Sequence, residues 1–337
     1  MKLLRWLLIP IVPIYDLITR IRNFAYDHNW FKSTSFPLPV IAVGNLSVGG
    51  TGKTPMVEYL IRLLRDDFKV ATLSRGYGRK TSGFVLANNQ SDAITIGDEP
   101  FQFYSKYKDV TVAVDEQRVR GISQLLKLSN PPEVIILDDA FQHRKVKAGL
   151  YILLTDFNNM YLDDLLLPTG NLREAKKGAN RSDLIVVTKC PHELSDIDKK
   201  HIVDRINPLP SQKVFFSKIV YADKIIGTNE ELSIDQLKSK KFTLVTGIAN
   251  PEPLIEFLVN KGLEFEHLAF KDHHNYTAEE IANLSGKDLI LTTEKDFGRL
   301  KGVPQNLYFL PIRIEFDKKE LFNESILNKV NLLYRRC

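Results

Sequence analysis

Residues 44–55 read Gly-Asn-Leu-Ser-Val-Gly-Gly-Thr-Gly-Lys-Thr-Pro, and what flanks them leaves few ways to fold them. A short β-rich run, 40–43, stands before them, and Met56, Leu60, Leu63 and Leu64 recur at helical spacing after them. A strand that turns through glycines into a helix points successive backbone N–H groups inward at the positive end of that helix, where they cradle phosphate oxygens. Ser47, Val48, Gly49, Gly50, Thr51, Gly52, Lys53 and Thr54 form the expected cradle. Lys53 is placed to reach β- and γ-phosphates, and the Thr54 hydroxyl to give Mg²⁺ an oxygen ligand. Where the general pattern G-x-x-x-x-G-K-[ST] begins with glycine, this chain has Ser47.

A chain of 337 residues exceeds what one hydrophobic core usually organises, so two lobes are expected. From Pro37 onward, β-rich runs alternate with helical stretches, which predicts an α/β lobe over residues 31–213. Its form is that of a P-loop NTPase, a mostly parallel sheet with helices on both faces. Strands are read at 40–43, 69–73, 110–114, 134–137, 151–154 and 184–188. A smaller α/β lobe is expected over residues 222–306, with strands 243–246, 265–270 and 289–292. One of its helices is opened by Pro251 and Pro253 and stopped by Gly262; another begins at a Thr277…Glu280 capping box. Stretches 214–221 and 307–316 are expected to pair as a two-strand β linker acting as a hinge, and residues 317–337 to form a helix returning toward the main domain.

The N-terminal residues 1–30 are a separate problem. The apolar run from Trp6 to Tyr15 is too short to span a bilayer, which needs about 20 residues, and Pro10 and Pro13 interrupt it. No small-residue cleavage site follows, so it does not read as a secretory signal. It reads either as an amphipathic segment lying in a membrane interface or as a terminal helix packed on the protein's own core. The net charge of +5 is concentrated here, where Lys2, Arg5, Arg20, Arg22 and Lys32 face only Asp16 and Asp27. So modest a surplus, gathered at one end, argues against a nucleic-acid partner. The two cysteines, Cys190 and Cys337, are too few for a disulfide framework and suit a reducing compartment.

Phosphate transfer calls for an acidic residue at the end of a buried strand, and Asp138 and Asp139 follow the apolar run 134–137. The base of the nucleotide is read from an absence. After 184–188 the chain has Thr188-Lys189-Cys190-Pro191, without the Asp of [NT]-K-x-D that grips guanine in GTP-binding relatives of this fold, so ATP is expected. These features alone are compatible with a kinase, with an ATPase acting in metal delivery or partner remodelling, and with a nucleotide-gated peripheral membrane scaffold.

Further motifs narrow the choice. Ser74-Arg75-Gly76-Tyr77-Gly78-Arg79, Gly97-Asp98-Glu99-Pro100, Asp138-Asp139-Ala140-Phe141-Gln142-His143, Leu167-Pro168-Thr169-Gly170-Asn171-Leu172-Arg173-Glu174, Asp272-His273-His274 and Thr293-Glu294-Lys295-Asp296 follow residues 44–55 in order. Together they resemble the tetraacyldisaccharide 4'-kinase family over nearly the whole chain. That family tends to carry a serine at the position of Ser47, and Ala140 stands where it often shows glycine.

The resemblance implies MgATP-dependent phosphorylation of the 4'-hydroxyl of a tetraacylated glucosamine disaccharide 1-phosphate. The protein would act as a monomer, peripheral to the cytoplasmic side of the bacterial inner membrane, with its N-terminal helix resting in the membrane. It also implies Asp98 as general base, oriented and polarised by His273 of the smaller lobe. Lys53 would act with Asp138 and Asp139, one ligating Mg²⁺ directly or through water and the other positioning phosphate, and Glu174 and Thr54 would join the metal shell. Asn45, Arg75, Arg79, His143 and Arg173 are the expected contacts to substrate or phosphate, a guanidinium offering a planar fork to an anion. Lys295 and Asp296 are expected nearby.

Overall fold

The structure, a computed structural model, describes residue 5 and residues 7–272, 274–300 and 306–335. At the centre of the larger sheet lies β1 (Val40–Asn45), flanked in parallel by β5 (Val134–Leu137) and β6 (Leu150–Asp156). β2 (Val70–Ser74) and β4 (Thr111–Val114) continue the parallel series beyond β5, and the short β3 (Val85–Leu86) closes that edge antiparallel. Beyond β6 come β7 (Leu184–Thr188), β8 (Lys213–Tyr221) and β15 (Ile312–Phe316). The central strands read as continuous apolar runs because both of their faces are covered. Ile41 and Val43 of β1 pack under the helix Lys53–Leu64, whereas Val40 and Ala42 point to the opposite layer with Leu73 and Ile122.

The smaller sheet has the order β10 (Glu231–Ser233), β9 (Lys224–Gly227), β14 (Leu307–Leu310), β13 (Ile290–Thr293), β11 (Phe242–Thr246), β12 (Phe265–Ala269). The helix Glu252–Asn260 crosses between β11 and β12, and Ala278–Ser285 leads toward β13. The capping box opening the latter is present: the Thr277 hydroxyl accepts from the Glu280 N–H at 3.2 Å, and the Glu280 carboxylate accepts from the Thr277 N–H at 2.7 Å.

The two-strand linker differs from the sequence expectation. Pro311 divides 307–316: β14 belongs to the smaller sheet, and only β15 pairs antiparallel with β8. β8 in turn pairs parallel with β7, so both connecting strands form the edge of the nine-stranded sheet and are not free-standing. The helix Lys319–Tyr334 does return to the main lobe, sinking Phe322, Ile326 and Val330 into the core beside Tyr59, Phe215 and Phe316. The lobes also touch through a second surface, where the helix Glu294–Arg299 lies against the helix Asp98–Lys106.

The N-terminal helix Val12–Asp27 is amphipathic in an inverted sense. Ile14, Leu17, Ile18 and Ile21 remain 57–60% exposed, with Phe24, Trp30 and Phe31 extending the apolar patch. Its polar face is the docked one. The Tyr15 hydroxyl donates to Arg173 O (2.8 Å), the Arg22 guanidinium to Gln142 O (2.7 Å), and the Asn23 amide to Glu174 (2.7 Å). The prolines expected to break this segment fall in the first turns of the 3₁₀ helix Ile9–Ile11 and the following α-helix, where no intrahelical N–H is needed.

Candidate active site

The cradle begins where β1 ends. Gly44 is needed there because a Cβ would lie 2.7 Å from the Cβ of Phe141 and 2.8 Å from its amide nitrogen. Gly49 (φ +116°) and Gly52 (φ +81°) take backbone conformations that side chains disfavour, and so turn the loop into the helix Lys53–Leu64. No side chain among the described residues caps that helix, which leaves its N-terminal N–H groups directed at the loop.

The loop is braced from outside. Val48 N–H donates to Asn171 O (2.8 Å), Arg173 N–H to Leu46 O (2.7 Å) and the Thr188 hydroxyl to Thr51 O (2.9 Å). Lys189 donates from its ammonium to Gly50 O and to Asp156 (2.7 Å). Asn45 spends its amide N–H on Ser47 O (2.6 Å), which makes it part of the loop's frame. The Lys53 ammonium makes only long contacts, 3.4 Å to Asn45 Oδ1, 3.5 Å to Gly49 O and 3.6 Å to Asp139 Oδ1. A cation so loosely held has its charge available to an anion.

Asp138 and Asp139 leave the end of β5, where Asp139 adopts φ +47°. Burial pushes the Asp138 carboxyl up to about 7, the neighbouring Asp139 adding to the effect against Lys53. Its Oδ1 is buried with no hydrogen-bond partner among the described residues. Burial also acts upward on Asp139, but Lys53 and Arg173 outweigh it and hold that carboxyl below its ordinary range. Arg173 donates to both Asp139 oxygens, at 2.9 and 3.0 Å. An orphaned carboxylate oxygen beside an ionised carboxylate, at the mouth of a phosphate cradle, suits Mg²⁺, which takes one or two protein carboxylates and completes its shell with water and phosphate. Thr54, in the first turn of the helix, is half-buried. Among the described residues no three His, Cys, Asp or Glu converge to hold a metal, so the nucleotide must complete such a site.

Glu174 is placed differently from the sequence expectation. It is buried, and its oxygens accept from Arg181 (2.7 and 2.9 Å), Asn23 (2.7 Å) and Gln142 (3.0 Å). Its oxygens are met by protein donors, so here it is a brace joining the N-terminal helix to the loop after Asp139. Arg79 also turns inward: its side chain is 3% exposed and donates to Gly83 O (2.7 Å) and to Glu116, holding its own loop closed and leaving Arg75 as the exposed guanidinium there. His143 is pushed down to about 4 by burial and by Arg118, Lys145, Arg22 and Arg75, and is therefore neutral. It can donate or accept a hydrogen bond but offers an anion no charge. Arg173, expected at phosphate, is committed to Asp139.

Asp98 follows Gly97 (φ +92°) as the first residue of its helix. His273, its expected partner, lies outside the described residues. What the structure does place on Asp98 is Arg299 of the smaller lobe, whose Nε donates to one oxygen at 3.0 Å and whose Nη2 donates to the other. Asp296 is fully buried and accepts from Gly247 N–H (2.9 Å), the Thr293 hydroxyl (2.8 Å) and Arg299 (3.2 Å), so it anchors that helix, while Lys295 lies 3.4 Å from Glu99.

Arg299, Arg118 and Lys189 have no counterpart in the sequence expectations. Arg118, buried and lowered to about 10 by desolvation, donates to Asp115 O (2.7 Å) and Asp138 O (3.3 Å) under the acidic pair. Lys189 had a signal, since it sits where the guanine motif would be; Arg118 and Arg299 had none.

A parallel α/β sheet whose first strand feeds a glycine cradle, a loosely held lysine and a buried carboxylate pair defines a nucleotide-dependent phosphotransferase of the P-loop class. The family model described as Tetraacyldisaccharide-1-P 4'-kinase matches residues 4–331. A tetraacyldisaccharide 4'-kinase of Flavobacterium johnsoniae is 52% identical over 336 residues, covering 98% of each chain. One from Bacteroides fragilis is 44% identical and covers 98% of this chain and 94% of its own. Among solved structures, the "apo" form of LpxK from Aquifex aeolicus in complex with ATP matches with a TM-score of 0.80 at 34% identity, over 97% of this chain and 99% of that one. The chain belongs to the tetraacyldisaccharide-1-P 4'-kinase family.

Proposed function

We propose that this chain transfers the γ-phosphoryl group of ATP to the 4'-hydroxyl of a tetraacylated glucosamine disaccharide 1-phosphate, with Asp98 as the base. One observation carries the reading: the cradle at Ser47–Thr54 presents an uncapped helix terminus and a loosely held Lys53 beside the Asp138/Asp139 pair, in a chain of this family. The hydroxyl proton passes to Asp98 as the sugar oxygen bonds to the γ-phosphorus, and the bond from that phosphorus to the bridging oxygen breaks, leaving ADP. The cradle N–H groups and Lys53 offset charge on the phosphate oxygens, which is where most catalysis in such transfers lies. Mg²⁺, held by Thr54 with Asp138 or Asp139, supplies further charge neutralisation when bound. Arg173 and Lys53 keep Asp139 ionised, and Arg75 is the exposed guanidinium suited to an anionic headgroup.

The N-terminal helix suits a lipid acceptor. None of the described helices is long and apolar enough to cross a membrane. Its exposed isoleucine and leucine stripe, with Trp30 and Phe31, would lie in the acyl boundary while the opposite face hydrogen-bonds the site loops. This supports a peripheral protein, and the cytoplasmic side of the inner membrane is its proposed location. Partition into anionic-lipid vesicles tests that placement: Ile18→Glu is expected to lower it at least about tenfold, given roughly 1.5–3 kcal/mol per buried aliphatic side chain, and undiminished partition would refute it.

A further inference from the structure

The reading above leaves Arg299 without a role, although it makes the most direct contact to Asp98 that the described residues show. It stands at the end of the helix Glu294–Arg299, and its side chain is 6% exposed against 15% for Asp98. The guanidinium meets both carboxylate oxygens and is itself held by Asp296 at 3.2 Å and Gly247 O at 3.4 Å. Asp296 is in turn fixed by Gly247 N–H and the Thr293 hydroxyl. Asp98 is therefore gripped by a guanidinium that Asp296 and Gly247 of the smaller lobe also hold. A two-point fork fixes the plane of a carboxylate as well as its place, which a single ammonium cannot do.

We propose that Arg299 is a positioning residue for the phosphoryl transfer: through its fork to Asp98 it orients the base and makes that orientation depend on docking of the smaller lobe against the helix Asp98–Lys106. This rests on Asp98 being the base. A second inter-lobe ion pair, Lys106 with Glu58 (2.7 Å) on the main lobe and Glu294 on the smaller, lies farther along the same two helices and away from the residues placed in the chemistry. Lys106 is thus the control for lobe docking alone.

Among the described residues, the charged groups near Asp98 include Arg299, Asp296 and Glu99, with Lys295 beside Glu99 at 3.4 Å and near Asp272 at 4.0 Å. Arg299 is a cation in direct contact with it, and an adjacent cation favours the ionised carboxylate. Replacing it with a neutral side chain moves the acid limb of the kcat–pH profile upward by about one pH unit, since an adjacent opposite charge displaces a carboxyl by roughly that much or more.

The test compares Arg299→Gln, Arg299→Lys, Lys106→Met and Asp98→Asn in the full chain with ATP and detergent-solubilised disaccharide lipid. Arg299→Gln is expected to lower kcat by about tenfold to a hundredfold, part of what a positioned base contributes, with KM for ATP within about twofold and the acid limb displaced upward. Arg299→Lys should restore the acid limb but only part of kcat, and Lys106→Met should leave the limb in place. If Asp98→Asn is inactive while Arg299→Gln keeps both kcat and the acid limb, Arg299 has no such role although the base assignment stands. Equal loss of kcat in Lys106→Met and Arg299→Gln with unmoved limbs would reduce Arg299 to a docking contact. Full turnover by Asp98→Asn would overturn the base assignment itself.

Discussion

Lys53 and Glu174 show how differently the chain uses its charges near the cradle. Among the described residues the Lys53 ammonium has polar contacts of 3.4–3.6 Å, whereas Glu174 is met by four donated hydrogen bonds from three side chains. Lys53→Met should therefore cost catalysis and little stability: turnover is expected to fall at least about a thousandfold, with the thermal midpoint of the nucleotide-free protein nearly unchanged. Glu174→Ala should do the reverse of a metal-ligand deletion. It leaves part-buried donors on Arg181 and Asn23 unmatched and destabilises the fold by about 3–5 kcal/mol, as for a broken buried pair, lowering the thermal midpoint without raising the Mg²⁺ concentration that half-saturates the enzyme; a large rise there would place Glu174 in the metal shell. At this scale the cradle was legible because glycine, lysine and threonine have few other reasons to occur in that order after a strand. Arg118 and Arg299 were not, since the contacts that give them a place at the site, to Asp138 O and Asp98, reach 20 and 201 positions along the chain and are set by tertiary geometry.

Elements carry the couplings. The N-terminal helix shows an apolar face to its surroundings and gives a polar one to the loops bearing Gln142, Arg173 and Glu174. Its amphipathic pattern was plain in the sequence, but which face docks was not, because that depends on partners roughly 120 to 160 residues away. Asn23→Ala should leave vesicle binding intact and lower kcat on solubilised lipid several-fold, the opposite split from Ile18→Glu; equal effects on both readouts would mean the helix is an anchor alone. Between the lobes, burial pushes the Glu294 carboxyl up to about 7, Glu58 adding to the effect and Lys106 opposing it. The folded protein thus holds a proton that the unfolded chain, with a carboxyl near 4.5, has released. Stability contributed here is present below that unfolded value and declines as pH rises toward 7. Glu294→Gln is expected to flatten the slope of thermal midpoint against pH between 5 and 7, and an unaltered slope would place the titrating group elsewhere.

The whole molecule joins a nine-stranded sheet to a six-stranded sheet, the described residues meeting at the β14–Pro311–β15 crossing and at the paired helices 98–106 and 294–299 among other contacts. Both α/β series were readable from alternation of strand and helix patterns, as was the return of the last helix, whose Phe322, Ile326 and Val330 keep a four-residue spacing. Of the expected two-strand pairing, 312–316 does lie beside β8 while 307–310 joins the smaller sheet, because strand propensity does not say which sheet a strand joins. The chemistry at the seam of these parts has one direct examination. Purified full-length protein, γ-labelled ATP and a tetraacylated disaccharide 1-phosphate are combined with Mg²⁺, and the label is located on the product. The account predicts a single new phosphate on the 4'-oxygen, with ADP released one for one and almost no ADP when the lipid is left out. Label at another hydroxyl, or brisk ATP hydrolysis with unlabelled lipid, would contradict it.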